Sequence, residues 1–318
     1  DSIWIGTDGG GINLFNPRTE KFTHYLSTWN DKIAFISGFT PGKLLISLFS
    51  KGVFIFNPAT GEKQPFTIVD KETTTQLCNR GKSVNLYQNT PNTVLLLGDH
   101  VYQYHLKEKK FDKVTGEEGK SIVGTLVPFK HENNRTYIND FKHIYELHDG
   151  DSLLKTTFEC YQDTVISSAS HDEHGDFWIG SNFGLIHYNP VSQKQTHIPT
   201  NLFTEVNMVQ CDQRGKVWIG ADNLLFAWLI QEQKFVLFGE SNGAIQNEYL
   251  PNARLVNNEG DVYIGGVKGM LRIDGQLLLN TSEMPELQLL DIIINGESAQ
   301  NKLYSHPAAI SVPWDSNI

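Results

Sequence analysis

The chain has 318 residues, 39% of them hydrophobic, with 18 Phe, 11 Tyr and 6 Trp, and a formal net charge of −10. That is apolar material for one large domain and little more, while the negative charge disfavours nucleic acid or an anionic membrane surface as a partner. No apolar run approaches the roughly 18 residues that span a bilayer, and the chain opens inside a strand motif with neither Met nor signal peptide, which reads as a piece of something longer.

The chain begins with Ile3-Trp4-Ile5-Gly6, then Gly10-Gly11-Ile12 and Phe15-Asn16-Pro17. An apolar run ends in Gly, a polar turn follows, and a second apolar run stops at Asn-Pro, which predicts a strand, a tight turn and a strand. The unit returns as Leu44-Leu45-Ile46-Ser47 with Gly52-Val53-Phe54, as Leu95-Leu96-Leu97-Gly98 with Val101-Tyr102, and, most eroded, as Thr136-Tyr137-Ile138-Asn139 with His143-Ile144-Tyr145. Its clearest copy is Phe177-Trp178-Ile179-Gly180 with Gly184-Leu185-Ile186 and Asn189-Pro190. Val217-Trp218-Ile219-Gly220 and Val262-Tyr263-Ile264-Gly265 complete the series.

Centred on Trp4, Leu45, Leu96, Tyr137, Trp178, Trp218 and Tyr263, the steps are 41, 51, 41, 41, 40 and 45 residues. Several short strands at a period in the forties predict an all-β fold, a seven-bladed β-propeller. Each unit supplies an inner strand such as Lys32–Ile36 or Asn207–Gln210, the two strands above, and an outer strand such as Lys21–Tyr25, Lys63–Phe66, Lys194–His197 or Lys234–Phe238. Large side chains of the middle strands are expected to wedge between blades, since one blade cannot bury both faces alone. The first unit lacks an inner strand within these residues; a segment outside them or from the far end is expected to supply it. The propeller is placed at residues 1–280. Residues 281–318 read as a linker and the first strands of a truncated β-sandwich, with Pro285–Glu297 a strand ending in an Asn-Gly turn.

Catalytic patterns are absent. Asp172, Gly175 and Trp178 share an Asp-x-x-Gly-x-x-Trp spacing with Asp212, Gly215 and Trp218, and Asn257, Gly260 and Tyr263 keep the turn; repetition in three blades marks structure, with the Asx side chain bonding the turn backbone. His171 and His174 lack the converging ligands of a zinc site, and Asp149-Gly150-Asp151 lacks the downstream ligands of a calcium loop. Gly9-Gly10-Gly11 precedes a strand, not the helix of a phosphate loop. No cofactor or metal is expected. Cys78, Cys160 and Cys211 are odd in number and widely spaced, so they read as buried thiols, with a Cys160–Cys211 bridge the alternative in an exported domain.

Binding has more support than catalysis. The long insertions are Asp70–Asn92, Glu117–Asn134 and Gly239–Pro251. Gln246, Asn247, Glu248, Tyr249 and Asn252, with Trp29 and Asn30, carry the aromatic faces, amides and carboxylate that hold a sugar; the competing reading is that they cap turns and fill gaps between blades.

The repeats Ile3–Pro17, Phe177–Pro190 and Val217–Phe226 resemble the two-component regulator propeller repeat. Phe238–Tyr249, continuing through Gly260–Gly269, resembles that family's last blade. Pro285–Glu297 and Val312–Asn317 resemble the opening of the β-sandwich that follows it, the YYY domain. The resemblance implies the second periplasmic propeller of a bacterial hybrid two-component sensor, an inner-membrane protein that perceives an oligosaccharide. It implies a homodimeric receptor, attached to the membrane through a downstream helix, whose kinase and DNA-binding parts lie elsewhere and control polysaccharide-utilisation genes. This chain is then a sensing module without enzymatic activity; the alternatives are a propeller enzyme or lectin acting on polysaccharides, and a rigid spacer. Two units depart from the repeat: His100-Val101 stands where Gly-Leu is usual, and Asn139-Asp140 where Gly-Thr is usual.

Overall fold

The computed structural model describes residues 2–27, 31–49, 51–66, 85–98, 100–117, 127–131, 135–148, 153–161, 163–277, 293–294 and 297–298. Seven antiparallel units follow one another in chain order. Blade one has β1 (Ile3–Gly6), β2 (Ile12–Asn16) and β3 (Lys21–Tyr25). Blade two has β4 (Ile33–Thr40), β5 (Lys43–Leu48), β6 (Gly52–Phe56) and β7 (Lys63–Pro65), and blade three β8 (Asn85–Thr90), β9 (Thr93–Leu97), β10 (Val101–His105) and β11 (Lys110–Gly116). Blade four has β12 (Val127–His131), β13 (Arg135–Asn139), β14 (His143–His148) and β15 (Leu153–Glu159). Blade five has β16 (Ile166–His171), β17 (Phe177–Ser181), β18 (Gly184–Asn189) and β19 (Lys194–Ile198), and blade six β20 (Met208–Cys211), β21 (Lys216–Ala221), β22 (Leu224–Leu229) and β23 (Lys234–Phe238). Blade seven has β24 (Tyr249–Val256), β25 (Val262–Gly266) and β26 (Gly269–Ile273).

This is the seven-bladed propeller that the repeats predict. Blades one and seven have three described strands each, and no described residue adds an inner strand to blade one. The outer strands of blades three and four are joined: β11 and β15 pair in parallel through Thr115–Leu153 and Gly116–Leu154, making one eight-stranded sheet.

The hairpins follow turn chemistry. Asp222 and Asn223 both take left-handed φ, 49° and 62°, the two-residue turn whose twist matches its strands. The core lies between blades. Tyr137, Ile144 and Phe158 of blade four pack on Ala169, Phe177 and Ile179 of blade five, and Trp178 and Leu185 of blade five pack on Val209, Val217 and Ile219 of blade six. Phe15 of blade one meets Tyr263 of blade seven edge-on, ring centroids 6.5 Å apart, so the first and last blades touch. Gly180 makes the tight approach clear: a Cβ there would come within 2.6 Å of Val206 and 2.9 Å of Val209.

The chain falls into two compact units, Asp1–Leu277 and Leu278–Ile318. In the second, β27 (Ile293–Ile294) pairs antiparallel with β28 (Glu297–Ser298), while the expected turn residues Asn295 and Gly296 lie outside the described residues. The rest of the sandwich assignment lies outside the described residues, as do Cys78 and most of the insertions Asp70–Asn92 and Glu117–Asn134. Cys160 and Cys211 are both buried free thiols, not a bridge. Burial pushes both thiols up, that of Cys160 to about 12, so neither is a nucleophile near neutral pH.

Candidate functional site

Alternation of strand direction gives the propeller two rims. The upper rim collects the turns between second and third strands and the segments leading into inner strands; the lower rim collects the other turns. Their surfaces differ. Phe49, Phe141, Tyr161, Phe183, Leu202 and Val267, all exposed, belong to the upper rim. On the lower side the exposed large apolar residues among those described are fewer: Val191 on a turn, with Phe22 and Leu255 at strand ends.

A cavity of about 320 Å³ opens at the upper end of the central channel, lined by Asn139, Phe141, Ser167, Asn207, Glu248 and Asn252 among others. A smaller one of about 240 Å³ lies beside Asn182, Phe183, His197 and Thr200. A third, about 500 Å³, lies between β1, β4 and β24, beside the edge of β1 where no described residue supplies an inner strand, and shares Leu250, Pro251 and Asn252 with the first.

The blade-four departure from the repeat has a physical account. Asp140 shapes the turn that glycine shapes elsewhere: its Oδ1 accepts the backbone N–H of Lys142 at 2.7 Å and of His143 at 2.6 Å. Its Oδ2 accepts the Tyr145 hydroxyl at 2.8 Å. Burial, and then this bond, raise the Tyr145 pKa. The change leaves Asn139, 2% exposed, lining the cavity; its amide nitrogen donates to Asp140 O at 3.2 Å, while Oδ1 has no partner among the described residues. A buried acceptor without a donor is costly, and here it adjoins a space that a ligand donor can enter.

The sequence candidates separate. Trp29 and Asn30 lie outside the described residues. Glu248 and Asn252 are exposed and line the cavity at the channel mouth, and Gln246 is exposed on the segment leading to them. Asn247 is 3% exposed and fastens two turns: Oδ1 accepts the Lys268 N–H at 2.9 Å and its own N–H donates to Asn223 O at 2.9 Å. Tyr249, also buried, lines the same cavity while donating its hydroxyl to Ile245 O at 3.1 Å and packing where a Cβ on Gly220 would come within 2.7 Å. Sequence reasoning passed over Asn139, Ser167 and Asn207. Their common signal is position, since each flanks an upper end of a predicted strand.

The repeated Asx turns are structural. Asp172 Oδ1 accepts His174 N–H and Asp176 N–H at 2.9 and 3.1 Å, Asp212 Oδ1 accepts Arg214 and Lys216 at 2.8 and 3.1 Å, and Asn257 Oδ1 accepts Glu259 and Asp261 at 3.0 and 2.8 Å. Asp172, Asp176 and His187 bring three donor atoms within 4.8 Å of one another. Those atoms are already engaged: Asp172 Oδ2 accepts Trp178 Nε1–H at 2.9 Å, Asp176 Oδ2 pairs with His187 Nε2 at 2.8 Å, and Asp176 Oδ1 accepts the Asn189 amide at 2.6 Å. The group holds strands together. His171 and His174 do not join it.

Fold and rim geometry define the class: a seven-bladed β-propeller with one apolar, cavity-bearing rim. No protein-family model and no curated protein matches the chain. Solved structures do. One, described as the extracellular domain of the one component system BT4673 of B. thetaiotaomicron, superposes with a TM-score of 0.64 at 15% identity, over 85% of this chain and 36% of that one. Another, described as the extracellular domain of the hybrid two component system BT4673, gives 0.55 at 15% identity over 86% and 37%. Virginiamycin B lyase from Staphylococcus aureus gives 0.62 at 10% identity over 85% and 90%. The chain thus spans little more than a third of the length of the extracellular domains it resembles. At these identities the likeness is one of fold.

Proposed function

We propose that this propeller is the ligand-sensing module of an extracytoplasmic receptor of the two-component type, and that an oligosaccharide binds across the upper rim at the channel mouth. The observation that carries this is the concentration of exposed aromatic and apolar side chains on one rim, together with a cavity on that rim lined by Phe141 and by amides, in which Asn139 Oδ1 lacks a donor among the described residues. Aromatic faces stack on sugar rings, and amides and a carboxylate satisfy hydroxyls; Glu248 and Asn252 supply the latter two. The likeness to extracellular domains of one and two component systems supports the sensing role and a periplasmic location; attachment to an inner membrane through parts outside these residues is part of the proposal. In the intact receptor, a homodimer, ligand acts by binding one arrangement of the protomers more tightly than the other.

The module binds without turning its ligand over. Three of the candidate carboxylates, those of Asp140, Asp172 and Asp176, are bonded into turns and strands, and among the described residues Glu248 is the one acid lining the channel-mouth cavity. The fold likeness to a lyase keeps the enzyme reading as the alternative. Calorimetric titration with a panel of oligosaccharides, with each mixture assayed for product, separates the two. Saturable binding with unchanged ligand is expected; product formation overturns the sensor reading. No binding across the panel would leave the spacer reading in its place.

A further inference from the structure

The cavity at the channel mouth is rich in acceptors and poor in donors. Three of its polar groups spend their donors on the backbone. The Asn139 amide nitrogen donates to Asp140 O at 3.2 Å, the Ser167 hydroxyl to Val206 O, and the Tyr249 hydroxyl to Ile245 O at 3.1 Å. What remains for a ligand is Asn139 Oδ1, without a partner among the described residues, and the lone pairs of Ser167. Glu248 adds a carboxylate, the amides of Asn207 and Asn252 add uncharged donors and acceptors, and no Lys, Arg or His is among the described residues that line the space. Arg254, the cation of β24, is turned elsewhere: its guanidinium donates to Ala169 O at 2.6 Å and to Val209 O.

Topology gathers these oxygens. Ser168 pairs with Gly180 in blade five and Met208 with Gly220 in blade six, so Ser167 and Asn207 each stand one residue before the partner of the repeat glycine. Asn252 has the corresponding place in blade seven, before Ala253, which faces Gly265. Three consecutive inner strands thus each bring an oxygen-bearing side chain to the cavity. Asn139 reaches it from blade four by another route. It stands where blade five has Gly180, a position whose Cβ would be directed at Val206 and Val209 of the next blade. An amide there is directed at the start of β16, and Asn139 shares the cavity wall with Ile166 and Ser167.

An acceptor-rich, acid-bearing space in a chain of net charge −10 suits a cation. An ammonium group brings three donors and one positive charge, which match Asn139 Oδ1, Ser167 Oγ and the Glu248 carboxylate in number and sign. Phe141 offers a ring face, favourable to a cation and to a sugar ring alike. At about 320 Å³ the space has the size of a small-ligand site, more than a bare ion needs. We propose that it selects an amino sugar, a hexosamine residue with a free amine, within the oligosaccharide that the module senses. The proposal rests on the sensing reading above and names the class of sugar.

Calorimetry tests it with three β-1,4-linked trisaccharides that differ at C2 alone, bearing the free amine of glucosamine, the acetamide of N-acetylglucosamine or the hydroxyl of glucose. Galactosamine, galactose, spermidine and calcium chloride are further titrants. The free amine is expected to bind at least about tenfold more tightly than its neutral counterparts, and more weakly as salt rises. Glu248→Gln, at an exposed site that does not risk the fold, should erase the preference. Asn207→Asp, which adds a second acid to the wall, should strengthen it. If neutral forms bind as tightly, or the amines do not bind, this proposal fails, and the sensing reading stands on any neutral sugar that does bind. Equal binding of spermidine, which has amines and no sugar ring, would show that charge alone is held, and overturns it; so would a calcium isotherm that Glu248→Gln abolishes. If neither these sugars nor the wider panel bind, both readings fail.

Discussion

Blades one and five carry the same tripeptide, Trp-Ile-Gly, at the same place in the repeat, and bury it differently. In blade five, β17 is buried from end to end, Trp178 to 3% exposure. In blade one, Trp4 and Ile5 are half-buried and Gly6 is exposed. The difference is made by the neighbours. Trp178 lies against blade six and Ile179 against blade four, with inner strand β16 paired to both, whereas no described residue pairs with β1 on its inner side. Identical local sequence is therefore buried only where an inner strand covers it. Blade six is the third copy: Trp218 is as buried as Trp178, but its Nε1 has no partner, because Lys216 Nζ approaches Asp212 Oδ2 at 3.4 Å in place of an indole.

The largest separation is expected from truncation. Trp178→Ala should destabilise by about 3–5 kcal/mol, and Trp4→Ala by about 1–2 kcal/mol, in proportion to the smaller area it hides; urea unfolding of both measures the gap, and equal losses would show that blade one is as tightly packed as the core. Gly180→Ala comes next, on the order of 1–3 kcal/mol, because the new methyl must displace Val206 and Val209. The exchange Trp178→Phe removes the bond to Asp172 and should cost roughly 1–2 kcal/mol more than Trp218→Phe, which removes an N–H that has no partner. A difference within error would mean that Asp172 finds another donor.

The smallest effect is one of pH. Burial alone would raise the Asp261 pKa, but the Gly275 N–H and the Arg272 guanidinium outweigh it and hold the carboxyl below its ordinary value. A carboxyl depressed in the folded state adds stability above its unfolded pKa, and that contribution disappears as pH falls through the folded value. Asp261→Asn should therefore lower stability at pH 7 and flatten its decline below about pH 4. Parallel thermal melts of both proteins across pH 2–7 would reveal an unchanged slope if Asp261 contributes nothing.

The ring was legible because its signal is repetition. Gly-terminated apolar runs, Asn-Pro stops and Asx turns recur at fixed offsets, and each offset became a strand or turn. The parallel joint between β11 and β15 was not, since it pairs strands of adjacent units that have no local pattern in common. The site was legible only in part. Glu248, Tyr249 and Asn252, singled out by chemistry, line the channel-mouth cavity, but Asn247 has the same chemistry and fastens turns instead. Asn139 shows in the sequence only as a departure from the repeat and Arg254 not at all; one has an oxygen without a partner among the described residues, the other reaches carbonyls one and two blades away. Such roles come from closure of the ring, which no window of residues contains.

Arg254 has a further consequence for the order of events in folding. Its two acceptors lie 45 and 85 residues upstream, so the guanidinium can be seated only after blades five, six and seven have docked. Contacts of such long sequence separation form late. A nascent or nicked ring would hold a loose arginine, and only a finished one would fix it on both carbonyls, so Arg254 latches blades five, six and seven together at the last step of assembly.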